Sequence, residues 1–327
     1  MKQAAVSGGL SRYATGAGSD ECRLAAGFDP LTRVRTVLLV RSGGSGRIRL
    51  WPSNEGHTNR PHWRSARVHT HDAPVDIDQA AAMLAEAKRV LVITGAGMSA
   101  DSGLPTYRGV GGLYDRELTA DGISIEQALS GDMFKRDPTV SWKYIAEIER
   151  ACRGAAPNDG HRALAAMAPR FERFCVLTQN VDGFHQSAGS RDVIEMHGAI
   201  HRLKCTRCHW RATVENYARL DTLPPDCPDC SSVVRPDVVL FGEMLPHRAV
   251  LQYEQALGEG FDLVMVVGTS AVFPYIAAPV QRAAIQRRAT MEINPQRTDI
   301  SEYCNVRLQT SAAEALVALS AAVQATG

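Results

Sequence analysis

The sequence predicts an α/β protein: a doubly wound parallel sheet of the Rossmann-like kind, carrying a small zinc-binding insert domain. Three observations lead there. Short apolar runs rich in branched residues, at 90–93, 174–177, 193–196, 263–267 and 290–293, alternate with longer stretches of helical composition. Strands buried on both faces and joined by crossover helices have that signature. Glycine or polar residues close one run after another, as Gly95-Ala96-Gly97, Gln179-Asn180-Val181-Asp182, His197-Gly198, Gly268-Thr269-Ser270 and Asn294-Pro295. In an open parallel sheet that edge is where ligands bind. Cys205 and Cys208 form one C-x-x-C pair and Cys227 and Cys230 another, with 18 residues between them. That is the spacing of a tetrahedral thiolate zinc site.

Taken in order, residues 1–75 are rich in Gly, Ser and Arg and hold no sustained period, which reads as a disordered N-terminal extension. A targeting arm is the competing reading. Asp20, Glu21 and Asp29 and the missing amphipathic pattern weigh against it. The folded part, 76–327, opens with an alanine-rich helix from Ile77, capped near Asp78. A strand over 88–94 then feeds Thr94-Gly95-Ala96-Gly97 and a small-residue segment suited to starting a helix. Such a turn brings backbone and free N–H groups to a diphosphate, the glycines clearing Cβ atoms from its path. Gly103 stands too far along for the usual GxGxxG, so the generic signal is weak. More informative is the continuation Leu104-Pro105-Thr106-Tyr107-Arg108-Gly109, which sets a proline turn, an aromatic face and a permanent cation just beyond.

Helices follow at 123–130 and 139–153, broken by Gly131-Asp132 and Asp137-Pro138, and another begins at Arg162. The cysteine insert occupies about 201–235. An apolar run at 238–243, a helix at 247–259, the strand at 263–267 and a helix at 276–287 come next. Strands at 290–293 and 305–308 and a helix from Ala312 complete the chain.

Composition narrows the function classes. A formal net charge of +1 argues against a partner held by bulk charge, such as nucleic acid or an anionic membrane. No apolar run reaches the roughly 20 residues that cross a bilayer, and the expected location is the cytoplasm. Eight cysteines in a chain this long do not make a disulfide scaffold. Cys175, inside an apolar run, reads as a core residue. Among the histidines, His161 and His185 stand near helix starts and read as hydrogen-bonders, while His201 and His209 lie beside a metal site that four cysteines already fill. Only His197 ends a strand and is followed by glycine.

Together these segments resemble the sirtuins, NAD-dependent protein-lysine deacylases. The matching residues are Gly95-Ala96-Gly97-Met98-Ser99, Gly103 to Gly109, Thr178-Gln179-Asn180-Val181-Asp182, His197-Gly198, the four cysteines, Gly268-Thr269-Ser270 and Asn294-Pro295. They stand in family order over about 76–320. The resemblance implies NAD as co-substrate and one structural zinc on Cys205, Cys208, Cys227 and Cys230. Gly95, Ala96 and Gly97 are expected at the diphosphate, with Gly268, Thr269 and Ser270 across the cleft. Tyr107 and Arg108 belong to the cofactor loop. Asn180 and Asp182 line the nicotinamide pocket, Gln179 the neighbouring ribose, Asn294, Pro295 and Gln296 the adenosine ribose, and Ala312 the adenine.

The resemblance makes His197 the general base, with Asn180 beside it in the catalytic set; an imidazole accepts a proton near neutral pH. The acyl oxygen of a lysine attacks C1′ of the nicotinamide ribose, nicotinamide leaves, and the base frees a ribose hydroxyl to take the acyl group. Acyl-lysine proteins, bound as extended peptides between 238–243 and 272–275, are the expected partners, with no membrane and no nucleic acid. Relatives that prefer acidic acyl groups carry a Tyr and an Arg where this chain has Ile145 and Ile148, which favours deacetylation here. Mono-ADP-ribosyl transfer and long-chain deacylase or lipoamidase activity are the alternatives on the same scaffold. A dehydrogenase would want an acid ending the second strand, where Gln179-Asn180 stands. A zinc-ribbon module for nucleic acid is disfavoured because Asp221, Asp226 and Asp229 offset Lys204, Arg207 and Arg211.

Overall fold

The computed structural model describes residues 23–28, 35–40, 77–105 and 118–325. The chain divides into two units, Met1–His69 and Thr70–Gly327. In the first, strands β1 (Arg23–Phe28) and β2 (Arg35–Val40) pair antiparallel. Elsewhere in 1–75, the expectation of disorder falls outside the described residues.

The second unit is organised by six parallel strands: β3 (Arg89–Thr94), β4 (Arg173–Thr178), β5 (Val193–Glu195), β9 (Leu263–Val267), β10 (Ala289–Ile293) and β11 (Val306–Leu308). Their order across the sheet is β11-β10-β9-β3-β4-β5. The chain starts in the middle at β3, winds outward to β5, then returns to the far side of β3 and winds outward again. This is the doubly wound arrangement, with its topological switch point between β3 and β9.

Successive residues of a strand point to opposite faces, and both faces are covered. Val90 and Val92 lie in a core with α1 (Ile77–Glu86), α5 (Asp159–Met167) and α9 (Ala312–Ala325). Leu91 and Ile93 lie in another with α7 (His247–Glu259) and α8 (Pro274–Ile285). Double coverage explains why the strands read as continuous apolar runs, with no polar alternation.

A smaller lobe carries β6 (Gly198–Cys205), β7 (Arg211–Thr213) and β8 (Val234–Val238), antiparallel in the order β7-β6-β8. It is larger than the 201–235 insert read from the cysteines. Helices α2 (Ile125–Ala128), α3 (Gly131–Arg136) and α4 (Pro138–Cys152) share its core, where Phe134, Trp142 and Ile145 meet Leu203 and Val234. Trp142 also donates its indole N–H to the Val234 carbonyl across 2.9 Å. One sequence expectation is corrected in this lobe. Gly131-Asp132 does not break a helix; it opens α3, with the Ser130 hydroxyl accepting from the Met133 amide at 3.0 Å. Beyond β8, Phe241 exchanges backbone bonds with Leu129 and Gly131, both 2.9 Å.

Candidate active site

Because all six strands are parallel, their C-terminal ends form one edge, and the predicted site residues collect there. At the switch point the turn after β3 lies directly on the turn after β9. Gly95 donates its amide to the Val267 carbonyl at 3.1 Å and Gly97 donates to the Gly268 carbonyl at 2.8 Å. A Cβ on Gly97 would stand 2.7 Å from the Gly268 Cα, so these glycines serve the contact between two turns. The helix expected to follow is corrected, for the chain makes two 3₁₀ turns, Ala96–Met98 and Ala100–Ser102.

One hydroxyl ties this turn to the end of β4. Ser99 donates to Asp182 Oδ2 at 2.7 Å and accepts from Asn180 Nδ2 at 3.2 Å. Asn180, buried, also donates to the Gly95 carbonyl at 3.0 Å. Asp182 accepts the Phe184 amide on its other oxygen at 2.9 Å, heading the short helix α6 (Phe184–Ser187). Burial pushes the Asp182 carboxyl above its ordinary range, against the pull of these donors. Ala96, Asn180 and Asp182 line a cavity of about 360 Å³, which reaches Ile148 on α4 and His201 on β6. Gln179 points the other way, donating to Thr269 Oγ1 at 2.8 Å.

His197 follows β5 in a half-buried position. The next residue, Gly198, has φ +82°, and a Cβ there would lie 1.9 Å from the Asp237 carbonyl oxygen, so glycine is required. His197 Nδ1 is 2.9 Å from the Gln179 carbonyl oxygen. A carbonyl only accepts, hence Nδ1 carries the proton and Nε2 presents the lone pair. That lone pair faces the Tyr275 hydroxyl at 2.6 Å. Burial holds the imidazole below its ordinary pKa, so at neutral pH it is an uncharged base.

The remaining predicted positions spread along the same edge. Thr269 is buried, Ser270 exposed, and Asn294 donates to the Thr269 carbonyl at 3.2 Å while accepting the Gln296 amide at 3.1 Å. Pro295 and Gln296 are exposed beyond β10. Ala312 opens α9, whose Ala313 amide donates to Asp101 at 2.9 Å. Tyr107 and Arg108 lie outside the described residues. Sequence reasoning missed the roles of Ser99 and Tyr275, although both stand inside segments it singled out.

In the small lobe, the sulfurs of Cys205, Cys208, Cys227 and Cys230 all lie within 4.8 Å of one another. Two of the pairs, Cys205 with Cys230 and Cys208 with Cys227, are 3.5 Å apart. A tetrahedral ion with zinc–sulfur bonds of about 2.3 Å separates its sulfurs by roughly 3.8 Å, so the donor set fits zinc in both chemistry and size. His201 and His209 do not join the cluster.

Comparison with known proteins accounts for this edge. The sequence model of the Sir2 family matches residues 95–274. The NAD-dependent protein deacylase 2 of Pseudomonas syringae pv. tomato is 51% identical over 243 residues, 74% of this chain and 98% of its own length. The NAD-dependent protein deacylase of Thermococcus sibiricus is 36% identical over 249 residues, 74% of this chain and 94% of its own. Among solved structures, a Sir2 homologue–NAD complex has a TM-score of 0.69 at 34% identity, covering 79% of this chain and 98% of that one. A Sir2–p53 peptide–NAD+ complex has a TM-score of 0.64 at 28% identity, covering 74% and 96%. Sequence identity along nearly the whole of its relatives, on a sheet wound in the same way, leaves one conclusion: this chain belongs to the Sir2 family.

Proposed function

We propose that this chain is an NAD-dependent protein deacylase, moving an acyl group from a lysine side chain to ADP-ribose as nicotinamide leaves. The observation that carries the reading is the fixed tautomer of His197, whose only basic nitrogen is Nε2. NAD supplies the ribose carbon that the acyl oxygen attacks and the hydroxyl that receives the acyl group. His197 takes the proton from that hydroxyl at Nε2. Asn180 and Asp182, held by Ser99, bind the nicotinamide end in the cavity they line. Gln179 lies toward the adjoining ribose, and Asn294, Pro295, Gln296 and Ala312 toward adenosine. Gly95, Ala96, Gly97, Gly268, Thr269 and Ser270 frame the diphosphate, and Tyr107 and Arg108, outside the described residues, are assigned to the cofactor as well. The whole activity belongs to residues 76–327.

Zinc sits on the four cysteines in a structural role, since four thiolates leave no position for a reacting water.

The acyl-lysine peptide runs between 238–243 and 272–275, where Phe241, Met244 and Val272 expose 39%, 63% and 42% of their surface. Acetyl is the preferred group. Ile145 is buried, Ile148 lines the cavity, and Arg153 is already paired with the buried Glu149. Among the described residues lining that cavity no other Lys or Arg stands ready for an acidic acyl chain, and an unpaired carboxylate is costly to bury. Lys204 and Arg211 are both taken up by Asp237, which supports a lobe without affinity for nucleic acid. No helix among the described residues is long and apolar enough to cross a membrane; the location we propose is the cytoplasm.

The test is incubation with NAD and peptides bearing acetyl-, longer neutral acyl- or succinyl-lysine, scored by mass spectrometry. Acetyl-lysine is expected to yield acetyl-ADP-ribose, with succinyl at least about tenfold slower and His197→Ala at least about a hundredfold slower. Equal rates for wild type and His197→Ala, or ADP-ribose on protein in place of the acyl product, would sink the reading.

A further inference from the structure

The Tyr275 hydroxyl stands 2.6 Å from His197 Nε2, on the atom that must take the proton. Nδ1 is committed to the Gln179 carbonyl, so the phenol donates and the imidazole accepts. Burial pushes the Tyr275 phenol above its ordinary range, which keeps that proton in place at neutral pH.

Tyr275 is itself firmly held. It is the second residue of α8, behind Pro274, and the Ile276 and Ala277 amides both donate to the Phe273 carbonyl, at 2.9 and 3.1 Å. Its own carbonyl accepts the Tyr253 hydroxyl at 2.8 Å. Its ring stacks on Phe273, with centroids 5.6 Å apart and planes 17° from parallel. Both rings meet the imidazole edge-on, at 82° and 84°. A phenylalanine would fill the same stack, so the hydroxyl is the part that packing leaves unexplained.

An imidazole tethered only through Nδ1 is hinged on one atom and can rock about its side-chain torsions. A second hydrogen bond on the opposite nitrogen removes that freedom. We infer that Tyr275 is a positioning residue for the acyl-transfer step, holding the His197 ring at Nε2 beforehand and then accepting, at its hydroxyl oxygen, from the Nε2–H that forms as the ribose proton is taken. This inference assumes the deacylase reading. It assigns Tyr275 no part in nicotinamide release, which precedes the work of the base.

The test variant is Tyr275→Phe, which keeps the aromatic stack. In ligand-free protein labelled with ¹⁵N-histidine, with His197→Ala supplying the assignment, the Nε2 signal is expected to move downfield as it loses its donor. With saturating NAD and acetyl-lysine peptide, kcat is expected to fall about tenfold, the worth of one hydrogen bond. The KM for NAD and the exchange of labelled nicotinamide into NAD are expected to stay within about twofold of wild type. In a His197→Ala background, Tyr275→Phe is expected to cost nothing further. The inference is overturned if exchange and deacylation fall together, if the Nε2 signal stays where it was, or if the two losses add. A wild type inactive on every acyl peptide would strike the deacylase reading itself. An active wild type with an equally active Tyr275→Phe variant would strike only the role of Tyr275.

Discussion

Gly97 donates its amide to the Gly268 carbonyl across 2.8 Å, and neither residue has room for a side chain. A Cβ on Gly268 would stand 2.4 Å from both the Gly97 carbonyl carbon and the Met98 nitrogen. The two turns at the switch point are therefore in backbone contact, and the nucleotide edge is assembled from both halves of the sheet at once.

Gly268→Ala tests that contact. Gly268 has φ +58°, so the alanine carries both a left-handed backbone and a collision with main chain that has nowhere to move. A loss of about 3–5 kcal/mol is expected. Gly103 has φ +80° but nothing within 4 Å of its Cβ position, and Gly103→Ala is expected to cost only about 1–2 kcal/mol. Urea unfolding of the two variants measures the difference. Equal losses would mean that the turns do not press on each other.

The acid limb of deacylation should report His197. Its pKa is lowered by burial, the Gln179 carbonyl opposing this more weakly. A base works while neutral, and a lowered pKa extends the neutral form downward in pH. Activity is expected to hold through pH 7 and to fall below the ordinary histidine value of about 6.5. A profile of kcat/KM against pH with its midpoint above 7 would contradict the buried setting of this ring.

The strands of the main sheet were legible because double burial writes itself as unbroken apolar runs; β9 falls where the run at 263–267 puts it. The small lobe was legible only in its cysteines. Its core draws on α2–α4 from far earlier in the chain, and β6 pairs with β8 through a register shift between Ala199 and Leu203. No local period records such long-range pairing. At the site, His197 could be found from a strand end followed by glycine. The Tyr275 contact could not, since it joins residues 78 positions apart through side chains alone.

His161 and His185 are expected to make the fold acid-sensitive. Both are buried, with ring centroids 4.9 Å apart, and His161 Nε2 and His185 Nδ1 are buried without a hydrogen-bond partner. His161 closes the capping box of α5 with Asn158, as its place near a helix start suggested, and His185 bonds Thr94. Desolvation lowers their pKa values from 6.5 to about 4 and about 3. The native state thus refuses protons that the unfolded chain accepts. Stability from these rings is complete above pH 6.5 and drains as pH falls toward those values, at up to about 1.4 kcal/mol per pH unit for each ring. Urea midpoints between pH 7.5 and 5 should decline accordingly, and His185→Gln should flatten the slope. A wild-type midpoint independent of pH would show that the rings are charged or solvated.

Removing zinc should unfold one lobe and spare the other. Cys205 and Cys227 are buried within the core that holds Trp142 and Tyr217, whereas the parallel sheet has its own two cores. Zinc-finger peptides gain roughly 10–16 kcal/mol from the metal, more than a core this small can replace. Of the four tryptophans, Trp142 and Trp210 pack in the zinc lobe, so in a Trp51→Phe, Trp63→Phe background tryptophan fluorescence follows that lobe directly. Chelation, or Cys227→Ser, is expected to shift that emission to the red while far-ultraviolet dichroism keeps most of its native signal. Deacylation should be lost in parallel, because α4 and the 238–243 segment are anchored in the same lobe. Purified protein without zinc but with unshifted emission would mean that the four thiols pack as a core of their own, and the metal site would have to be given up.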